Sequence, residues 1–89
     1  MHPDLEEFTR RRLAALSVAE VTPGELDPDA DLVRTYGLTS LNKVVLVTSV
    51  CGQARVDLTV LTDDDLARML TLREIVDTVA RYAPEGGLA

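Results

Sequence analysis

With 89 residues and a 46% hydrophobic composition, the chain has material for one small folded domain and too much apolar content to stay disordered. A net charge of −6 argues against a nucleic-acid binder, which presents a basic patch, and suits solubility or partners with positive surfaces. The single cysteine, Cys51, excludes an internal disulfide and a cysteine-based metal site; it reads as small apolar packing in a reducing cytoplasm.

The chain starts MHPDLEEFTRRR, charged and without an apolar segment, so it does not read as a signal peptide. No run approaches the length of a membrane span. Pro3-Asp4 followed by Leu5, Glu6 and Glu7 predicts a helix start with acids in the first turn, and the helix runs from about Asp4 to about Ala19. Leu5, Phe8, Leu16 and Ala19 fall near one face; Arg12 lies close to it, with its stem buried and its head in water. Thr22-Pro23-Gly24 ends this helix. From there to Thr39 the sequence predicts a long ordered loop carrying Glu25, Asp27, Asp29 and Asp31, anchored to the core by Leu26 and Leu32.

Ser40 to Gln53 is ambiguous in pattern alone. Val44-Val45-Leu46-Val47 reads as a buried strand, Arg55 to Leu61 alternates, and Cys51 to Ala54 would join them as a hairpin. A helix instead puts Leu46, Val47 and Val50 on one side and Leu41, Val44 and Val45 on another. So small a chain cannot surround such a helix, and the helical reading therefore leaves an apolar strip for solvent or a visitor. Thr62 with Asp63-Asp64-Asp65 predicts a cap and an acidic first turn for a short helix to about Met69. Thr71 caps again, and Leu72, Ile75, Val76, Val79 and Ala80 form a helical stripe up to about Tyr82. Residues 84–89 read as a frayed tail, and aromatics at 3% leave the core to aliphatic residues.

Little here fits catalysis. The only histidine is His2, so neither a serine nor Cys51 has a credible base. There is no glycine-rich phosphate loop, and three adjacent aspartates lack the spacing of a calcium loop. The expectation is a protein that is not an enzyme, with no catalytic residues and no metal. Ser40 stands out. At a helix start, either it or Thr39 would cap, and the same position would stabilise a phosphate on the hydroxyl. Gly37 frees the backbone there and leaves room for something bulky.

Gly37-Leu38-Thr39-Ser40-Leu41 resembles the phosphopantetheine attachment motif of the acyl and peptidyl carrier proteins: glycine, an aliphatic residue, any residue, then serine and leucine. Val21 to Leu32 resembles their loop, with Pro23 and Pro28 at the proline positions. Leu66, Thr71-Leu72 and Ile75-Val76 match their last two helices, so the likeness spans about Leu5 to Tyr82.

The resemblance implies an all-α, four-helix bundle with a short third helix and a long loop between helices 1 and 2. The whole of residues 1–89 is then one carrier domain with an ordered core of about 4–82. Ser40 to Gln53 becomes a helix, and Arg55 to Leu61 an extended connector whose Val56 and Leu58 plug the core. It further implies 4′-phosphopantetheine covalently attached to Ser40 by a separate phosphopantetheinyl transferase. The arm's thiol holds acyl or aminoacyl groups as thioesters. Other partners are a loading enzyme and a synthase or acyltransferase acting in trans, in polyketide or nonribosomal peptide biosynthesis. The expected protein is a freestanding cytoplasmic monomer with no membrane partner. Partners would touch Leu41, Val44, Val45 and Thr48, with Thr39 at the arm's root. The core would hold Leu46, Val50, Leu72, Ile75 and Val76.

The sequence departs from the acyl-carrier pattern in three ways. Thr39 stands where acyl carriers usually have Asp, which keeps a peptidyl or aminoacyl carrier open, as well as an interaction module of the same fold without the arm. Asn42, Lys43 and Val45 occupy positions in the second helix that are often acidic. The connector from Asp57 to Leu61 is a little long.

Overall fold

The computed structural model describes residues 3–18 and 20–83. It is all-α, with no strand among the described residues. Among the described residues five helices follow in order: α1 (Pro3–Leu16), α2 (Leu32–Tyr36), α3 (Ser40–Ala54), α4 (Asp63–Arg68) and α5 (Leu72–Tyr82). Single 3-10 turns sit at Pro23–Glu25 and Leu58–Val60. α1 packs on α3 and α5, and α3 packs on α5. Among the described residues no helix is long and apolar enough to cross a membrane.

α1 places Leu5, Thr9 and Leu13 inward, one turn apart, with Phe8 and Leu16 half-buried at the edges. Thr9 is buried because its hydroxyl donates to the Leu5 carbonyl at 2.7 Å, which satisfies it within the helix. The helix ends at Leu16, short of the sequence expectation, and Ala19 lies outside the described residues. Beyond the helix, the Ser17 hydroxyl and the Val18 N–H both donate to the Tyr36 carbonyl, which turns the chain aside.

The loop contains a helix that the sequence pattern did not reveal. α2 is five residues long and buries only Leu32 and Tyr36. Its ends are well specified: the Asp31 carboxylate accepts from the Val33 and Arg34 N–H groups, and Gly37 closes the helix at φ 68°. Leu26 and Leu32 are buried anchors as expected. Polar ties complete the clamp. The Arg10 guanidinium donates to the carbonyls of Pro23 and Leu26, the Asp27 N–H donates to the Tyr36 hydroxyl, and Arg73 pairs bidentately with Asp29.

The helix-or-strand ambiguity resolves to helix. α3 buries Leu46, Val47, Val50, Cys51 and Ala54, a stripe of i, i+1, i+4, i+5 and i+8. α5 meets it with Leu72, Ile75, Val76 and Val79. Cys51 is a buried free thiol, its pKa raised by desolvation. In the connector, Val56 is buried but Leu58 is not. Leu58 is 38% exposed because the turn it begins, capped by Asp57 accepting from the Thr59 N–H, rotates it outward; Leu61 packs on the core instead.

Thr62 and Asp65 form a reciprocal capping box at the start of α4. The Tyr82 hydroxyl donates to the same Asp65 carboxylate at 2.7 Å, fixing α4 to the end of α5. These bonds hold the Asp65 carboxyl below its usual range and raise the Tyr82 phenol. His2 and the tail at 84–89 lie outside the described residues.

Candidate functional site

The site is built at the start of α3. Two hydroxyls compete for the capping role, and Thr39 takes it: its Oγ1 accepts from the Asn42 N–H at 3.0 Å, in extended backbone at φ −79° and ψ 167°. Its carbonyl accepts from Lys43 at 2.9 Å, the first full helical bond. Ser40 is thereby the first helical residue, relieved of capping, with its side chain in solvent. At this position it lies among the unpaired N–H groups of a 15-residue helix and at the positive end of its dipole.

Leu38 and Gly37 aim the hydroxyl. Leu38 is buried and its N–H donates to the Leu32 carbonyl, so the residues just before the cap are fixed to α2. Gly37 does not leave room for a bulky visitor, as the sequence reading expected. It occupies the left-handed region as the C-terminal cap of α2, and the space a Cβ would need is filled by the Val18 side chain. The glycine serves a turn and a close approach.

All the residues expected to receive a partner lie on the surface. Leu41 is 72% exposed, Val44 50% and Val45 42%, and Thr48 and Thr39 are exposed as well. Leu41, Val44, Val45 and Thr48 follow the i, i+3, i+4, i+7 spacing that makes one helical face. Ser40 heads the neighbouring face with Lys43, Val44 and Val47. Together with Leu66 and Ala67 of α4 they line a groove of about 300 Å³.

Sequence reasoning missed the polar frame of this site. Lys43, noted only as a departure from an acidic helix, donates to the Leu66 carbonyl at 3.0 Å and bridges α3 to α4. Arg10 and Arg73 hold the preceding loop; Arg10 also pairs with Glu6 one turn back, the only local signal, while its bond to the Leu26 carbonyl and the Arg73–Asp29 pair join residues far apart in the chain. Arg12, expected with its head in water, is exposed and reaches the Ser49 hydroxyl at 3.2 Å. Among the described residues no cluster of three or more His, Cys, Asp or Glu side chains is placed to hold a metal ion. The chain matches no family model, no curated protein and no solved structure.

Proposed function

We propose that the protein is a carrier whose Ser40 hydroxyl takes 4′-phosphopantetheine, within a four-helix bundle made by α1, α3, α4 and α5 with α2 as an insert in the loop. The observation that carries the reading is the division of labour at the start of α3: Thr39 caps, and Ser40 stands beside it exposed and uncommitted. The likeness of Gly37 to Leu41 to the attachment motif supports it from the sequence side.

The residues fit such a group. An exposed primary hydroxyl on a rigid helix start can enter another enzyme's active site. The helix dipole and the first-turn N–H groups favour the negative phosphate that results. In the attachment step, Ser40 Oγ attacks the pantetheine-side phosphorus of coenzyme A. The new O–P bond forms as the pyrophosphate bond breaks, adenosine 3′,5′-bisphosphate leaves, and the serine proton passes to a base of the transferase. When bound, the arm supplies a terminal thiol that holds acyl or aminoacyl groups as thioesters.

The remaining roles belong to this chain's surface. Leu41, Val44, Val45 and Thr48 offer an apolar docking strip next to Ser40, Thr39 borders it, and the clamped loop keeps the serine in one orientation. Tethering raises the local concentration of cargo at each partner's site. The partners are a phosphopantetheinyl transferase, a loading enzyme for an acyl or aminoacyl group, and a synthase or acyltransferase acting in trans. The pathway proposed is polyketide or nonribosomal peptide biosynthesis.

Incubation with coenzyme A and a promiscuous phosphopantetheinyl transferase tests this. Intact-mass analysis is expected to show addition of one phosphopantetheinyl group, lost in Ser40→Ala. No addition to the wild-type chain would leave Ser40 a plain helix-start residue and the strip an interaction surface without an arm.

A further inference from the structure

Lys43 is the one charged residue in the sequence of α3, within a chain of net charge −6. It sits three residues after Ser40, on the same face one turn along, and both side chains line the groove closed by Leu66 and Ala67. Lys43 is half-buried, and its ammonium donates to a neutral acceptor, the Leu66 carbonyl, at 3.0 Å. The described ion pairs are Arg10–Glu6 and Arg73–Asp29, so Lys43 forms none among the described residues. Asp31 lies within its field without contacting it, and that carboxylate is already occupied by the Val33 and Arg34 N–H groups. A strongly hydrated cation has thus been placed in an apolar groove beside the proposed attachment point, on an acceptor weaker than an anion.

We propose that Lys43 is the phosphate-binding residue of the Ser40 site, exchanging the Leu66 carbonyl for the phosphoryl ester formed on Ser40 and thereby loosening the end of α4. The inference rests on the attachment reading above. A charge-assisted bond to a phosphate oxygen is roughly twice as strong as one between neutral groups. The four-carbon lysine stem can swing one turn along a helix face without moving its backbone. The Leu66 carbonyl would then keep only the Met69 N–H, at 3.3 Å, as its donor. The opposite end of α4 stays fixed, because the Thr62–Asp65 capping box and the Tyr82–Asp65 bond do not involve Lys43. Attachment at Ser40 is therefore felt at the end of α4 and not at its start, which reshapes one wall of the groove beside the cargo.

The test follows the full chain, isotope-labelled, by NMR before and after enzymatic attachment of phosphopantetheine, with mass analysis of the same sample. The expected result is a shift of the Lys43 Cε and Nζ resonances and a severalfold faster amide exchange at Ala67 to Leu70, while Asp65 is unchanged. In Lys43→Met the exchange at Ala67 to Leu70 is fast before attachment and does not change after it. The wild-type comparison stands alone if that variant folds poorly. If mass analysis shows no added group, the attachment reading fails and this inference with it. If the group is added and neither Lys43 nor Ala67 to Leu70 responds, the inference alone is overturned.

Discussion

Leu41 and Leu46 are the same residue on the same helix, little more than one turn apart, yet Leu46 is 0% exposed and Leu41 is 72% exposed. Val47 and Val45 repeat the contrast, at 1% and 42%. Hydrophobicity alone does not separate these pairs. The difference lies in what the rest of the chain can cover. α1 and α5 cover one side of α3; α4, at six residues, reaches only the groove edge through Leu66 and Ala67. The second apolar side of α3 is left uncovered by the described residues, and that uncovered strip is what the proposed docking role rests on.

The widest test of that contrast is paired truncation. Leu46→Ala should cost about 2–5 kcal/mol in denaturant unfolding, because it opens a cavity in a filled core. Leu41→Ala should stay within about 0.5 kcal/mol of wild type, and Val45→Glu should keep its helicity by circular dichroism while slowing a partner enzyme. Equal costs at Leu41 and Leu46 would make both faces core.

A second effect, smaller, comes from the residue that aims α3. Gly37→Ala must enter the left-handed region, at about 1–2 kcal/mol, and must also displace Val18. Val18→Ala introduced alongside it should recover part of the loss, a coupling that unfolding of the double variant measures. Next, Thr39→Ala should cost about 1 kcal/mol through the lost cap, whereas Ser40→Ala should leave the unfolding midpoint near wild type. The reverse order would mean that Ser40 has a structural duty after all.

The smallest effect is confined to acid. The folded-state pKa of Asp65 is depressed by bonds from the Thr62 N–H and the Tyr82 hydroxyl. The stability it contributes is complete above the ordinary carboxylate range, near pH 4, and is lost as pH falls through the lowered folded value. Thermal melts of Tyr82→Phe should therefore depend less on pH below about 4 than those of wild type.

The first-turn acids of α1, the caps at Thr62 and Thr71 and the inward stripe of α5 were legible because each rests on local chemistry or on several turns of period, whereas α3 read as strand or helix in pattern and its helical form was expected only from the family likeness. α2 was not legible. Five residues with two buried positions carry no period, although Asp31 and Gly37 already marked its ends. Leu58 was misplaced because the family likeness implied an extended connector where an Asp57 cap makes a turn. Around Ser40, the sequence indicated the hydroxyl and the exposed strip. It did not show which hydroxyl caps, that Val18 occupies the space at Gly37, or that Lys43 reaches α4, since each depends on residues brought together from afar in the chain.

The central claim, that Ser40 is an attachment point, is tested most directly by locating the added group after incubation with coenzyme A and a transferase. Tryptic cleavage after Arg34 and Lys43 isolates Thr35 to Lys43, a peptide containing Thr35, Tyr36, Thr39 and Ser40 as competing hydroxyls. Tandem mass spectrometry is predicted to place a single phosphopantetheinyl group on Ser40 and none on Thr39. An unmodified peptide, or the group on any other residue, would contradict it.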